Sequence, residues 1–134
     1  MRYDRSMRKK SYLILAVTAL LVIILIIISA DLGILSPALV VLYRFPMGDK
    51  VGHLLLNGML AFLVALAAGP KKAGIWLGLL AVAITLEEFS QAVLPNRTFS
   101  LLDLAFSLLG IVVFGFLGAR LARGREKSNY ECNE

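Results

Sequence analysis

Read by polarity, the chain alternates four long apolar runs with short polar breaks. Residues 12–30, 50–69, 73–94 and 101–122 consist mainly of Leu, Ile, Val, Ala, Phe and Gly, with few charges. About 20 helical residues cover the roughly 30 Å hydrocarbon core of a bilayer. Each run therefore predicts a membrane-spanning helix. The prolines agree: Pro37 and Pro46 fall between runs one and two, Pro70 between two and three, and Pro95 between three and four. Proline breaks the helical hydrogen-bond ladder and belongs at helix ends. The predicted fold class is all-α, an integral membrane bundle of four transmembrane helices with antiparallel neighbours. The first run exceeds the 7–15 apolar residues of a signal peptide, and the Ile28-Ser29-Ala30 sequence that ends it is a poor cleavage site.

Composition narrows the function classes. The chain has 134 residues, 59% hydrophobic and 17% charged, with a mean hydropathy of +0.82. A soluble domain is about 45–50% apolar and about 25% charged. A soluble enzyme, a disordered tail and a disulfide scaffold are thereby disfavoured. The single cysteine, Cys132, excludes an intrachain disulfide and a CxxC metal site.

The net charge of +5 reads as an orientation signal. Arg2, Arg5, Arg8, Lys9, Lys10, Lys71, Lys72, Arg120, Arg123, Arg125 and Lys127 fall on the side of the termini, against Arg44, Lys50 and Arg97 on the other. The excess of Lys and Arg marks the cytoplasmic side. The expectation is a multi-pass protein of the cell membrane, N-in and C-in. Residues 1–11 form a basic cytoplasmic start, 12–122 the membrane domain and 123–134 a cytoplasmic tail, expected to be disordered from Gly124. The basic residues also imply a weak affinity for anionic lipid at the inner leaflet. Nucleic acid is not an expected partner. Between runs one and two, Ser36-Pro37 offers an N-cap and a first helical position. Residues 38–45 then read either as a short interfacial helix or as an irregular loop.

Chemistry gathers at the outer end of spans two to four. Asp49, His53 and Asn57 are spaced i, i+4, i+8 and share one helical face. Span three closes with Glu87, Glu88 and Gln91. Arg97 sits in the following loop, and span four opens with Asp103, with Ser107 and Gly110 on the same stripe. Charged groups inside a bilayer are expensive and turn toward the bundle interior. The candidate pocket comprises Asp49, Lys50, His53, Glu88, Gln91, Arg97 and Asp103, with Glu87, Asn57 and Ser107 as weaker members. Each also has a structural explanation: a packing histidine, an ion-paired cap between spans three and four, a helix start at Asp49 with Lys50 snorkelling, or interhelical glue. Three small-residue stripes, Gly74-xxx-Gly78, Ala61-xxx-Ala65-xxx-Gly69 and Gly115-xxx-Ala119, read as packing surfaces. Trp76 reads as an anchor at the cytoplasmic interface.

The ordered set Asp49-Lys50-x-x-His53, Glu88-x-x-Gln91, Pro95-x-Arg97, Asp103 and Gly110 resembles the VanZ-like family of small bacterial and archaeal membrane proteins, over residues 49–118. This chain has Asn57 where the family often has an aromatic, and Ser107 where it usually has asparagine. The family takes its name from a member associated with low-level teicoplanin resistance. The resemblance implies cell-envelope biology and supplies no reaction.

Two functions follow as expectations. In the first, the pocket binds or processes an envelope lipid or a lipid-linked cell-wall precursor. Arg97 and Lys50 attract an anionic head group. Glu88, in a low-dielectric setting, pairs with His53 for proton transfer, and Asp103 orients His53 or Arg97. His53, Glu88 and Asp103 are then the catalytic candidates; Asp49, Lys50, Gln91 and Arg97 bind. In the second, the protein is a non-enzymatic sensor, transport accessory or assembly factor and the polar cluster is structural. A metal on His53, Asp49 and Glu88 is the weaker alternative, because one histidine without a thiolate is a poor donor set. No metal and no other cofactor is expected.

Overall fold

The structure, a computed structural model, describes residues 2–34, 47–95 and 97–131. All elements in them are helical: α1 (Arg2–Asp31), α2 (Gly48–Ala68), α3 (Ala73–Ser90), a 3-10 turn (Gln91–Val93) and α4 (Leu101–Glu131). Four helices are long and apolar enough to cross a membrane: Lys9–Asp31, Gly48–Ala68, Ala73–Val93 and Leu101–Glu126. The short helix or loop expected at 38–45 lies outside the described residues.

Short connections make α2 antiparallel to α3 and α3 antiparallel to α4, and the pairing of Asp31 with Arg97 puts the end of α1 beside the α3–α4 connection. Gly69 ends α2 with a φ of 78°, a left-handed conformation that glycine adopts without a Cβ penalty, and its N–H donates to Ala65 O at 3.0 Å. Pro70 follows, and α3 begins at Ala73. The end of α1, the start of α2, the end of α3 and the start of α4 thus share one end of the bundle. The chain termini lie at the other.

Two differences from expectation concern helix ends. α1 starts at Arg2, through the basic segment, and α4 runs to Glu131, where a disordered tail was expected from Gly124. The tail is rich in Arg, Leu, Ala, Lys and Glu, all good helix formers, and holds no proline, so the ladder continues. At 1.5 Å per residue α1 and α4 are each roughly 45 Å long, well beyond the thickness of a hydrocarbon core. The two helices touch near the end of the bundle that holds the termini: the Arg125 guanidinium donates to the Tyr12 hydroxyl and lies over its ring at 5.4 Å.

Packing is uneven. α2 and α4 form the tightest pair, α1 packs along α2 and touches α4 through Tyr12 and Arg125, and α3 packs against α2 and α4. The α2–α4 seam is close because glycines line it. A Cβ on Gly110 would stand 2.4 Å from Leu54 O, and one on Gly118 would stand 2.7 Å from Phe62 O. Ala61, Ile84 and Ile111 centre the core, joined by Leu77, Leu80 and Leu108. Of the expected packing stripes, Ala61 and Ala65 are fully buried and Gly115 abuts Leu77, but Gly74 and Gly78 meet nothing. The outer faces expose Ile14, Leu25, Ile75, Val82 and Val112. An apolar exterior over a partly polar interior suits a lipid surround.

Candidate functional site

The site lies at the bundle end away from the termini, and it is built on the α2–α4 seam. One turn from Gly110, Ser107 is fully buried on α4 and faces α2. Asn57 Nδ2 donates to Ser107 Oγ at 3.0 Å, and His53 Nδ1 lies 3.2 Å from the same oxygen. Ser107 Oγ accepts from Asn57, and its one proton is then available to His53 Nδ1. Asn57 is 6% exposed, and its Oδ1 is buried with no hydrogen-bond donor.

A second group joins α3 to α4. Glu88 is 1% exposed, and its Oε1 accepts from Ser100 N at 3.0 Å. Ser100 Oγ in turn accepts from Asp103 N at 3.3 Å. Ser100 is therefore the cap of α4, with Glu88 satisfying the amide of the cap itself. Asp103 is free to turn elsewhere, and its Oδ1 lies 3.2 Å from Lys50 Nζ. Lys50 also donates to Asp49 Oδ2 at 2.6 Å. Asp103 therefore does not orient His53 or Arg97 as expected; it faces Lys50. No hydrogen bond joins Glu88 to His53 among the described residues, since each is held by a serine of the α4 entry.

A third group surrounds Arg97. Its Nε donates to Gln91 Oε1 at 3.2 Å, and Gln91 Nε2 donates to Glu87 Oε1 at 2.8 Å. The two terminal nitrogens of Arg97 stand 3.8 Å from Asp31 Oδ1 and from Glu87 Oε1, within ion-pair range and beyond hydrogen-bond distance. The structure thus places the expected residues at one end of the bundle in three separate groups, of which only His53, Asn57, Glu87 and Arg97 line a common cleft, and adds two residues to those groups. Ser100 had a signal, since Ser100-x-x-Asp103 before an apolar run marks a helix start. Asp31 had a weaker one: it closes span one at the depth where the other charges collect.

Between α1 and α3, with α2 as its floor, runs a narrow open cleft with a cavity volume of about 50 Å³. His53, Asn57, Glu87 and Arg97 line it together with Ile23, Ile26 and Ile27 of α1, Leu56 of α2 and Ile84 of α3. Among the described residues no group of three or more His, Cys, Asp or Glu is arranged to hold a metal ion. Comparison with protein-family models, curated proteins and solved structures gave no match.

Proposed function

We propose that the chain is a multi-pass protein of the cell membrane, both termini inside, whose cleft binds or processes an envelope lipid or a lipid-linked cell-wall precursor. Membership of the VanZ-like family, and with it a bacterial or archaeal envelope, belongs to the same proposal. The observation that supports it is the mixed lining of the cleft, where His53, Asn57, Glu87 and Arg97 stand among isoleucines of α1 and Leu56. Such a lining offers an amphiphile both polar and apolar contacts. His53 is the group placed for proton transfer, with Ser107 holding its Nδ1 side.

The expected outcome is that gently purified protein carries a lipid in native mass spectrometry, and that Leu56→Trp, which fills the cleft, loses it. A bare protein, or a Leu56→Trp variant that keeps the lipid, would overturn the proposal. The orientation rests on the Lys and Arg distribution, and Cys132, the only cysteine, tests it. A membrane-impermeant maleimide should label Cys132 only after the membrane is opened. Labelling of intact cells would reverse the topology.

One observation favours the second, structural reading. Lys50 lies between Asp49 and Asp103, and Arg97 between Gln91, Glu87 and Asp31, so both cations already have internal partners. On that reading Arg97→Ala and Asp103→Asn lower stability in step with any loss of function.

A further inference from the structure

The two ends of the bundle treat their cations differently. At the end that holds the site, Lys50 and Arg97 each stand within ion-pair range of two carboxylates. At the opposite end, Lys9 on α1 and Lys71 and Lys72 in the α2–α3 connection are exposed, and among the described residues none of them has an ion-pair partner. The sequence explains the contrast, since no Asp or Glu occurs between Asp49 and Glu87 or between Asp4 and Asp31. The fold then gathers the three amines. α1 and α3 both pack on α2 and not on each other, which leaves a furrow between them with α2 as its floor. Where α2 ends, Lys9 reaches it: a Cβ on Gly69 would meet Lys9 Nζ at 4.0 Å. Lys71 and Lys72 follow Gly69 by two and three residues. The negative pole of a helix end amounts to about half an elementary charge, far less than the three positive charges around it.

The order of side chains at this end shows what kind of anion fits. Lys72 and Trp76 stand one turn apart on α3, the lysine toward the chain termini and the exposed indole toward the apolar stretch. Arg120 and Phe116 repeat that order on α4, with the guanidinium 4.7 Å from the centre of the exposed ring. Cations outside and aromatic rings inside are the arrangement that meets a layer of lipid head groups. An anion held by Lys9, Lys71 and Lys72 has apolar helix faces directly below it. A phosphate that carries acyl chains uses both surfaces; a soluble anion uses only the first.

We propose that Lys9, Lys71 and Lys72 form a seat for one anionic phospholipid of the leaflet on the side of the termini, its phosphate between α1 and the α2–α3 connection and its acyl chains in the furrow between α1 and α3. The seat rests on the membrane-spanning reading alone. It lies at the end of the bundle opposite His53 and Arg97 and is independent of the cleft. It also goes beyond the general attraction that the basic residues of this side share, because it assigns the lipid to three named amines.

The test uses the full chain purified into detergent with an equimolar mixture of phosphatidylglycerol and phosphatidylcholine sharing the same acyl chains. Retained lipid is read by native mass spectrometry. Phosphatidylglycerol should be retained about tenfold over phosphatidylcholine, since each lysine near a membrane surface supplies about fivefold before salt screens it. Lys71→Gln with Lys72→Gln should bring the ratio down to about twofold. Lys10→Gln with Arg123→Gln removes the same charge elsewhere at this end. Lys10 lies about 100° from Lys9 around α1, and Arg123 about 140° around α4 from Gly118, which abuts Phe62 of α2. That control should keep most of the preference. No preference in the parent chain, or equal losses in the two double variants, overturns the seat and leaves the cleft reading as it stood. Leu56→Trp, which fills the cleft, should leave the ratio unchanged. A ratio that falls with Leu56→Trp and not with the lysine pair places the anionic lipid in the cleft and likewise overturns the seat.

Discussion

The α2–α4 seam and α3, one wall of the gap beside α1, carry similar residues and put them to opposite use. In the seam, Gly110 and Gly118 let one backbone touch another. On α3, Gly74 and Gly78 stand four residues apart, and a Cβ on either would meet open space. Small residues permit close approach; whether it happens depends on what stands opposite. The seam has a polar neighbour to fix its register, Ser107 reaching both His53 and Asn57. The gap has no such bridge along its length. α1 is tied to the rest of the bundle near its ends, by Asp31 to Arg97 and by Tyr12 to Arg125, and it rests on α2 between them. The result is a rigid floor carrying two looser walls, and the cleft is the space the walls leave.

The largest effect should come from breaking the floor. In Gly110→Ala the added methyl would sit 2.4 Å from Leu54 O, a backbone atom that cannot rotate away. Overpacking costs about 1–3 kcal/mol, and more where backbone must move, so a loss of about 3 kcal/mol is expected in detergent thermal denaturation. The same shift would part Ser107 from His53 and Asn57, one turn along each helix. A Gly110→Ala variant as stable as the parent would mean that the seam is not the rigid element.

A smaller effect is expected from untying a wall. Arg97→Ala removes the hydrogen bond to Gln91 and the ion pairs to Asp31 and Glu87. Truncating one partner of a fully buried pair costs about 3–5 kcal/mol. These contacts are long and the Arg97 side chain is 16% exposed, so about 2 kcal/mol is the expected loss. Arg97→Lys should not restore it, because a point charge cannot reach Gln91 and both carboxylates together. Melting and lipid retention measured on the same variant separate the two functional readings. Retention that falls far more than stability belongs to a binding site; a parallel fall belongs to a structural cluster.

How much of this was legible in the sequence follows from the same contrast. The number of membrane-length apolar helices, the short connections after α2 and α3 and the polar end were readable, because hydropathy and proline placement set helix length and helix ends alike in every element. Choice of partner was not. Glu88 was read as a proton-transfer partner of His53, and Asp103 as a group orienting His53 or Arg97. In the structure a serine holds each backbone or side-chain contact, Ser100 for Glu88 and Ser107 for His53. A helix rotation of one residue, about 100°, exchanges such partners without changing the pattern of polar and apolar positions. The isoleucines of the cleft were unreadable for a related reason. α1 is apolar all round, so no stripe marks Ile23, Ile26 and Ile27 as facing a cleft and Ile14 or Leu25 as facing outward.

The smallest effect, and the sharpest test of the comparison, is Gly78→Ala. Nothing lies within 4 Å of the added methyl, so the substitution should cost nothing in packing. Alanine also gives up less backbone entropy than glycine on entering a helix. A gain of about 0.5 kcal/mol is therefore expected, opposite in sign to Gly110→Ala although both replace glycine in a membrane-length helix with the same methyl. If Gly78→Ala instead destabilised the protein by as much as Gly110→Ala, the α3 face would be packed against something in solution. The looseness of that wall would then belong to the single chain and not to the protein as it assembles.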